Sequence, residues 1–388
     1  MLYLDNAATT QPYKEVAQTV ADVMLQHFGN PSSIHKFGLD AEKLVKKSRE
    51  VIASALKARP EEIIFTSGGT ESSNLAIKGA AYRYCSRGRH LITTAVEHAS
   101  VTEAFRQLQA EGFEVTVLPV DETGQVRVED VKAAVTGETI LVSIMHVNNE
   151  TGRIQPVGEI GRWLREKQTV LFHVDAVQGV AKLPLAPDEL GIDLMSASAH
   201  KFKGPKGAGF LYKRTGIDLQ AQLVGGGQEQ GIRSGTENVP LIVGMAKALR
   251  IATDNLAEDI RRKRAFRTIA VEGILGLPEL TLTGSRDEED MAPHIVHFTY
   301  PGMNSEVVVH ALEQRGIYIS TKSACSSGEP EPSKVLLSMG LDRAHASSGL
   351  RVSWTEEHSE ADARRFVEAL RGVIADLVPV SERTKGGR

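Results

Sequence analysis

The sequence predicts an α/β protein with a large, doubly wound domain and a smaller α+β domain. From about residue 60 to 215, short apolar runs rich in β-branched residues alternate with segments of helical periodicity. Several of these runs are apolar on both faces, which is typical of parallel strands covered by helices on both sides. After about residue 250 the pattern changes to a long charged helix followed by short, separate strands and helices.

Two helices are predicted ahead of the sheet, over residues 14–28 and 40–57, because apolar residues recur there at helical spacing. Residues 101–112 and 156–167 have the same periodicity and are predicted to be helices between strands. The strands of the large domain are predicted from their apolar, β-branched composition. They cover residues 61–66, 90–95, 113–118, 139–145, 169–174, 192–198 and 208–213.

The last third of the chain predicts a different arrangement of shorter elements. In order, these are a helix over 256–275, strands near 279–283 and 294–299, a helix near 305–315, a strand at 317–320 and a helix near 360–377. We therefore expect a large domain over residues 14–255. The small domain is expected to combine residues 1–13 with 256–388.

Composition excludes several classes of protein. With 388 residues, two or three domains are expected, and 41% hydrophobic with 24% charged residues argues against a disordered or fibrous chain. The net charge of −4 gives no global reason to bind nucleic acid or an anionic membrane. An apolar run of about 18 residues and a secretory leader are both missing, so a cytoplasmic enzyme is expected. Two cysteines cannot build a disulfide framework or a four-thiolate zinc site, and no metal is expected.

Polar residues follow several predicted strands, at the end of the sheet where α/β enzymes place their chemistry. The run Thr66–Glu71 contains two glycines between a strand and a helix, which suits an anion at a helix N-terminus and equally suits an ordinary tight turn. His98 follows another strand, although a single histidine is more often a packing residue. The run Asn148–Glu150 suits a hydrogen-bonding site or a turn.

An acid and a lysine also follow neighbouring strands. Asp175 ends an apolar strand, and a buried carboxylate there needs a cationic partner. Lys201 comes directly after a strand, and the Gly-Pro pair at 204–205 forces a turn behind it. A partly desolvated lysine loses its proton more readily and can form a Schiff base. Lys203 and Lys206 are predicted to be solvated.

These residue types together favour pyridoxal 5'-phosphate as cofactor. That cofactor needs a lysine for a Schiff base, an acid that keeps its pyridine nitrogen protonated, a cradle for its phosphate and a ring stacked on its face. Lys201, Asp175, the Gly69-Thr70 turn and His98 can supply these in that order. A protonated pyridine ring is the stronger electron sink, so the acid matters most for the chemistry.

The chain resembles the pyridoxal-phosphate-dependent cysteine desulfurases of the class V aminotransferase family, from Tyr3 to about Trp354. Motifs that match in order carry this resemblance: Tyr3–Thr10, Gly29–Ser33, Thr66–Glu71, His173–Ala176, His200-Lys201 and Arg233–Thr236. Each motif alone is unspecific, but the ordered set is specific. The resemblance implies a fold-type I pyridoxal-phosphate enzyme that is a homodimer.

The resemblance also implies roles around the cofactor. Lys201 would carry the Schiff base, Asp175 would pair with the pyridine nitrogen and Gln178 with the phenolic oxygen. His98 would stack on the ring and shuttle protons. The residues implied to bind the phosphate are Gly69, Thr70, Ser198 and His200.

Further roles concern the substrate and the second subunit. Thr236 would reach the phosphate of the other subunit, and Asn148 would lie beside the cofactor. Arg351 would bind the substrate carboxylate, for which a forked guanidinium is suited, and Asn30 is expected to assist there.

Two cysteines have contrasting surroundings. Cys325 lies in a stretch of Ser, Gly, Glu and Pro that predicts a loop, where a thiol can approach a substrate sulfur; a small buried packing residue is the alternative. A free thiol has a pKa near ~8.5, so a small fraction is thiolate at neutral pH. The Ser323–Ser327 segment resembles the first group of cysteine desulfurases, although Lys322 stands where relatives often carry glycine. Cys85 lies in a helical stretch and is predicted to pack.

The activity that the resemblance implies is conversion of L-cysteine to L-alanine, with a persulfide forming on Cys325. That sulfur would pass to an acceptor such as an iron–sulfur scaffold or an enzyme that thiolates tRNA or a cofactor. Selenocysteine lyase, transaminase or cystine lyase chemistry on the same scaffold is an alternative, as is a scaffold protein without catalysis. A nucleotide enzyme built on Gly68-Gly69 is disfavoured because the P-loop pattern is missing.

Overall fold

The computed structural model describes residues 1–321 and 332–377; Lys322 and the predicted nucleophile Cys325 lie outside the described residues. The strands of the described part are β1 (Leu2–Tyr3), β2 (Ile63–Thr66), β3 (His90–Thr94), β4 (Glu114–Leu118), β5 (Thr139–Met145), β6 (Leu171–Asp175), β7 (Leu194–Ser198), β8 (Gly209–Lys213), β9 (Thr281–Leu282), β10 (Ile295–Thr299), β11 (Ile317–Tyr318) and β12 (Gly349–Ser353).

The helices of the same part lie between and around these strands. They are α1 (Lys14–Gln26), α2 (Lys36–Ala55), α3 (Gly69–Tyr84), α4 (Ala99–Ala110), α5 (Val128–Ala134), α6 (Val157–Lys167), α7 (Val239–Asp254), α8 (Leu256–Leu275), α9 (Ser305–Glu313), α10 (Lys334–Ser338), α11 (Arg343–Ala346) and α12 (Glu360–Asp376).

Seven strands form the central sheet, in the order β2-β8-β7-β6-β5-β3-β4. Strand β8 is antiparallel to both of its neighbours, and the strands from β7 to β4 are parallel. The expected doubly wound, mostly parallel sheet is therefore confirmed. Because five parallel strands run in one direction, their carboxyl ends lie along one edge of the sheet.

Two hydrophobic cores cover the two faces of this sheet. Neighbouring residues of one strand point to opposite faces, so Phe65 packs with α1, α2, α6 and α7, whereas Ile64 packs with α3 and α4. On β6, His173 is buried between two hydroxyl groups: its Nδ1 lies 2.8 Å from Ser143 Oγ and its Nε2 2.9 Å from Ser196 Oγ. Burial lowers the pKa of His173 to about 3, so a neutral imidazole ties three adjacent strands together.

A third core joins the start of the chain to its last third. Leu2 and Leu4 pack with α8, α9, α12, β10 and β12. Within this core the rings of Phe266 and Trp354 are stacked, with centroids 4.4 Å apart, and Trp354 Nε1 donates to the Lys263 carbonyl at 3.1 Å. The exact division into a large and a small domain stays a prediction.

Three expectations about local structure are wrong: the start of α2, the packing of Cys85 and the solvation of Lys203. Helix α2 begins at Lys36 rather than near residue 40, because His35 caps it by accepting the Gly38 N–H at 3.3 Å. Cys85 is exposed rather than packed, because α3 has ended at the residue before it.

Lys203 is buried rather than solvated, since Tyr13 and the carboxylates of residues 356 and 357 surround its ammonium group. Its Nζ lies 4.3 Å from the centroid of the Tyr13 ring and 3.7 Å from Glu356, and it also pairs with Glu357. Lys206, by contrast, is exposed, as expected. Among the described residues, we find no helix with the length and apolar character that a membrane span requires.

Truncation of Phe172 to alanine is expected to lower the free energy of unfolding by about 3 to 5 kcal/mol, because this ring is fully buried in β6 and leaves a cavity. Urea denaturation followed by circular dichroism measures the change. Val117→Ala on the exposed side of β4 is the matched control, with an expected loss below about 1 kcal/mol. Equal losses for the two variants would contradict the assignment of Phe172 to the core.

Candidate functional site

A cavity of about 450 Å³ lies at the carboxyl ends of the parallel strands. It brings together nine residues that the sequence singles out: Gly69, Thr70, His98, Asp175, Gln178, Ser198, His200, Lys201 and Arg351. These residues come from five separate stretches of the chain. The convergence of a lysine, an acid, a glycine turn and an arginine in one cavity is the chief structural observation about the site.

Lys201 enters the cavity from a short 3-10 turn, Ala199–Lys201, which directly follows β7. Its Nζ donates to the carbonyl oxygens of Ala7, at 2.6 Å, and Ala8, at 2.8 Å. The chain segment that precedes α1 therefore holds the lysine in place through main-chain acceptors. A primary amine in a half-buried cavity can form a Schiff base with an aldehyde.

Asp175 and His98 lie on the wall of the cavity at the ends of β6 and β3. Burial raises the pKa of Asp175, while the charges of His98 and Lys201 and the N–H of Val177, 3.0 Å from Oδ1, oppose that shift. Burial likewise lowers the pKa of His98. A buried carboxylate in such surroundings favours a cationic group opposite it.

His98 also begins helix α4 as its N-cap. Its Nδ1 accepts the Ser100 N–H at 3.2 Å, so the neutral ring carries its proton on Nε2. The cap fixes the imidazole at the end of β3, where it borders the cavity.

The N-terminus of α3 also borders the cavity. Gly68 has a φ of +154°, a conformation that favours glycine, and a Cβ on Gly69 would lie 2.7 Å from Val177 Cγ2. The first N–H groups of a helix have no intrahelical partner and attract anions. Glu71 borders this end; burial would raise its pKa, but hydrogen bonds from Arg233 and Ser67 lower it.

Ser198 and His200 also line the cavity. Ser198 ends β7, and its Oγ is 3.5 Å from the position of a Cβ on Gly68. His200 lies 3.2 Å from Thr9 Oγ1 through its Nδ1. Burial and the nearby lysines lower the pKa of His200 to about 4, so its imidazole is neutral and can donate one hydrogen bond.

Arg351 reaches the cavity from β12, in the third core. It is only 1% exposed, and its guanidinium donates to Asp5 Oδ1 and to the Asn149 carbonyl, each at 2.8 Å. Its Nε has no hydrogen-bond partner within the described ranges. A buried guanidinium that borders a cavity can bind a carboxylate through two parallel hydrogen bonds.

Glu97 is buried beside His98. Its Oε1 accepts from Thr94 Oγ1 at 2.7 Å and from the Met145 N–H at 2.9 Å, whereas its Oε2 has no partner in the described part of the chain. Burial raises the pKa of Glu97 to about 8, and the nearby Asp175 adds to the shift. This pKa favours the protonated form of Glu97 near neutral pH.

Three of the residues predicted to act in this cavity do not line it, and a fourth lies outside the described residues. Asn148 is buried in a turn, where its Oδ1 accepts the N–H groups of Glu150 and Thr151, each at 2.9 Å. Asn30 is exposed, and its side chain accepts the Ser32 N–H at 2.9 Å. Thr236 is exposed and does not line the cavity, and Cys325 lies outside the described residues.

Sequence reasoning missed several groups that line or support the site. Asn149 borders the cavity in place of Asn148, and the carbonyls of Ala7 and Ala8 hold the lysine. Asp5 pairs with the buried arginine. The run Tyr3–Thr10 is one of the motifs that carry the resemblance, so a signal for this segment existed without a role for each residue.

The donor set fits pyridoxal 5'-phosphate. Glycines at the N-terminus of α3, a buried acid and a lysine amine all line the same cavity. Three or more His, Cys, Asp or Glu side chains arranged to hold a metal ion are not found in residues 1–321 and 332–377.

Comparisons with known proteins agree with this geometry. The family model described as aminotransferase class-V matches residues 2–366. A cysteine desulfurase IscS from Clostridium botulinum (strain Hall) is 43% identical over 374 residues, which cover 96% of this chain and 94% of that protein.

Solved structures give the same result. A NifS-like protein superposes with a TM-score of 0.90 at 37% identity and covers 97% of this chain and 100% of that one. A structure described as SspA in complex with cysteine has a TM-score of 0.79 at 35% identity, over 92% of this chain and 99% of that one.

The raised pKa of Glu97 makes stability depend on pH. In the folded protein Glu97 keeps its proton up to a pH near 8, whereas in the unfolded chain it loses that proton near its ordinary pKa of 4.5. The contribution of Glu97 to the free energy of unfolding is therefore fully present below pH 4.5 and is lost as pH rises towards 8. The free energy of unfolding of the parent protein should therefore decline by an amount on the order of a few kcal/mol over this pH range, and Glu97→Gln is expected to remove that decline. Urea denaturation of both proteins between pH 4.5 and 8 measures it. Curves that stay parallel over that range would contradict the assignment.

Proposed function

The chain belongs to the aminotransferase class-V family, and we propose how its cavity serves a cysteine desulfurase that depends on pyridoxal 5'-phosphate. The observation that carries the proposal is the meeting of Lys201, Asp175, Arg351 and the N-terminus of α3 in one cavity. When bound, the cofactor supplies an electron-withdrawing ring that stabilises negative charge at the substrate α-carbon.

The residues that we propose to hold the cofactor are those that the family resemblance implies, and most of them line the cavity. The Lys201 amine is the covalent attachment point, and Asp175 pairs with the protonated pyridine nitrogen. Gln178 donates to the phenolic oxygen, and the neutral His98 ring stacks on the cofactor face. The phosphate binds to Gly69, Thr70, Ser198 and His200, with Asn148 supporting the neighbouring turn and Thr236 arriving from a second subunit.

Substrate binding is assigned to the other end of the cavity. Arg351 binds the carboxylate of L-cysteine, and Asn30 assists from the loop before α2. The amine of Lys201, or His98 through Nε2, accepts the α-proton and returns it. Both groups border the same cavity, so one proton can be moved without bulk water.

Cys325 is proposed as the sulfur acceptor within the protein. Its thiolate attacks the sulfur of L-cysteine, the carbon–sulfur bond breaks, and the products are L-alanine and a persulfide on Cys325. The support is the sequence motif around this residue. A lyase of selenocysteine and other class V reactions share the scaffold, but the cysteine desulfurase relatives do not favour them.

The persulfide needs a second protein to receive it. An iron–sulfur scaffold is our first candidate, because the curated relative is named IscS, and an enzyme that thiolates tRNA is the second. We place the enzyme in the cytoplasm, because the catalytic thiol must be reduced and that compartment keeps thiols reduced.

A homodimer is proposed from an exposed apolar surface, which we call the α1–α2 patch. It contains Met24, Leu25, Phe28, Ile34 and Phe37, and the rings of Phe28 and Phe37 are stacked with centroids 5.3 Å apart. A groove of about 480 Å³ beside the cavity shares Ser67, Thr70 and Glu71 with it. A second subunit that covers these surfaces would bring its own Thr236 to the phosphate.

Lys201→Ala and Cys325→Ala are expected to fail in different ways. Without Lys201 the purified protein should not retain a cofactor that borohydride can reduce onto the chain. Without Cys325 the visible absorbance should remain, while alanine and persulfide formation from L-cysteine should fall by about 10³-fold. Absorbance spectra, peptide mapping after borohydride and an alanine assay measure these outcomes.

Cys85→Ala is the matched control for the thiol, since Cys85 is exposed next to the end of α3, and its activity should equal that of the parent protein. Full turnover by Cys325→Ala would overturn the assignment of the nucleophile. A reduced adduct on another lysine would overturn the assignment of Lys201.

Charge placed in the α1–α2 patch is expected to separate the subunits. The parent protein should have twice the chain mass of 42.1 kDa in multi-angle light scattering, and Phe28→Asp with Phe37→Asp should return it to 42.1 kDa. Leu275→Asp, on an exposed face of α8, is the control and should stay dimeric. A parent protein of single-chain mass at all concentrations would refute the dimer.

A further inference from the structure

Lys182 is a buried lysine behind the wall of the cavity. It lies in the turn after β6, where the Gly179 N–H donates to Ala176 and the Lys182 N–H donates to Gly179. Only 7% of Lys182 is exposed, and the residue does not line the cavity. Its Nζ donates to Gln178 Oε1 at 2.9 Å.

This hydrogen bond, together with the one that Gln178 Nε2 donates to the Ala7 carbonyl, fixes which way the amide of Gln178 faces. A carboxamide has an acceptor and a donor end of nearly equal shape, so neighbouring groups must fix its orientation. The lysine binds the oxygen, and Gln178 Nε2 then donates to the Ala7 carbonyl at 2.9 Å. The second N–H of Nε2 remains for a group in the cavity, which Gln178 lines.

The surroundings of Lys182 make its burial costly. The charged groups that act on it are three cations and one carboxylate: Lys201, Lys263, Arg351 and Glu356. His294 also faces it, and burial keeps that imidazole neutral by lowering its pKa. Burial, with the nearby cations, lowers the pKa of Lys182 well below its usual value. Charged or neutral, the amine still offers an N–H to Gln178 Oε1.

We propose that Lys182 is a positioning residue: it locks the Gln178 amide so that an N–H points at the phenolic oxygen of the bound cofactor. The inference rests on the proposed function, in which Gln178 contacts that oxygen. An amide turned the other way would place its own carbonyl oxygen against the phenolic oxygen and repel it. Lys182 therefore acts on the cofactor through Gln178 without contacting it.

Lys182→Met tests this with readouts other than turnover. Methionine fills a similar space without a donor, so the amide can turn. The apoprotein should bind pyridoxal 5'-phosphate about threefold to tenfold more weakly, the effect of one hydrogen bond. The pH midpoint of the visible absorbance should move upward, because a donated N–H stabilises the anionic oxygen. The unfolding temperature of the apoprotein should hold or rise, since a buried amine is removed.

A double-mutant cycle with Gln178→Met separates positioning from packing. In that background Lys182→Met should leave the cofactor affinity and the pH midpoint unchanged. Lys213→Met is the matched control: Lys213 is also buried, but its Nζ donates to the Ile217 carbonyl at 3.0 Å, in the segment after β8. It should alter neither cofactor readout.

Two results would overturn the proposal. One is a Lys182→Met protein with a lower unfolding temperature but unaltered affinity and midpoint. The other is an undiminished effect in the Gln178→Met background. Failure of the proposed function looks different, because the parent protein itself would then bind no pyridoxal 5'-phosphate and have no visible absorbance.

Discussion

Burial of the Asp175 carboxyl group at the end of β6 is the constraint on which the site depends. A carboxylate withdrawn from water is unfavourable unless cationic groups or N–H donors face it, and the protein provides only a few: the Val177 N–H, His98 and Lys201. The protonated Glu97 beside it adds no second charge. A further cationic group at this wall would stabilise the carboxylate, and a protonated pyridine ring is the group that we propose there.

The site is also where three cores meet. Lys201 and Asp175 come from the central sheet, whereas Arg351 comes from β12 in the core that the first residues of the chain share. The segment between β1 and α1 joins them, because Asp5 holds the arginine and two of its carbonyls hold the lysine. The residues that we propose for substrate binding and for cofactor binding are thus both held by one short stretch of main chain.

Much of this site could be predicted from the sequence, because Asp175, Ser198 and Lys201 follow strands whose apolar, β-branched composition is clear. Arg351 is predicted only through the family resemblance, since a charged residue in the middle of a strand runs against the pattern of a buried strand. Its partner Asp5 lies 346 residues away in the chain. Asn149 borders the cavity, whereas Asn148 is the residue predicted to lie there. Which of the two faces the cavity depends on the orientation of the turn, and the spacing of residues in the sequence does not indicate that orientation.

Other errors have the same origin in tertiary contacts. The sequence predicts Lys203 to be a surface residue, but in the structure the Tyr13 ring and two carboxylates enclose it. Helix α2 starts early because a histidine side chain caps it, and histidine is outside the usual set of N-caps.

The two main-chain hydrogen bonds that hold Lys201 have a consequence for mutational mapping. Its acceptors are the peptide oxygens of two residues that are already alanine, so an alanine scan reads both positions as wild type and misses the contact. Side-chain replacement in general leaves a main-chain oxygen where it was. Backbone ester substitution, or a one-residue deletion that shifts the register of this stretch, would reveal how strongly the enzyme relies on it.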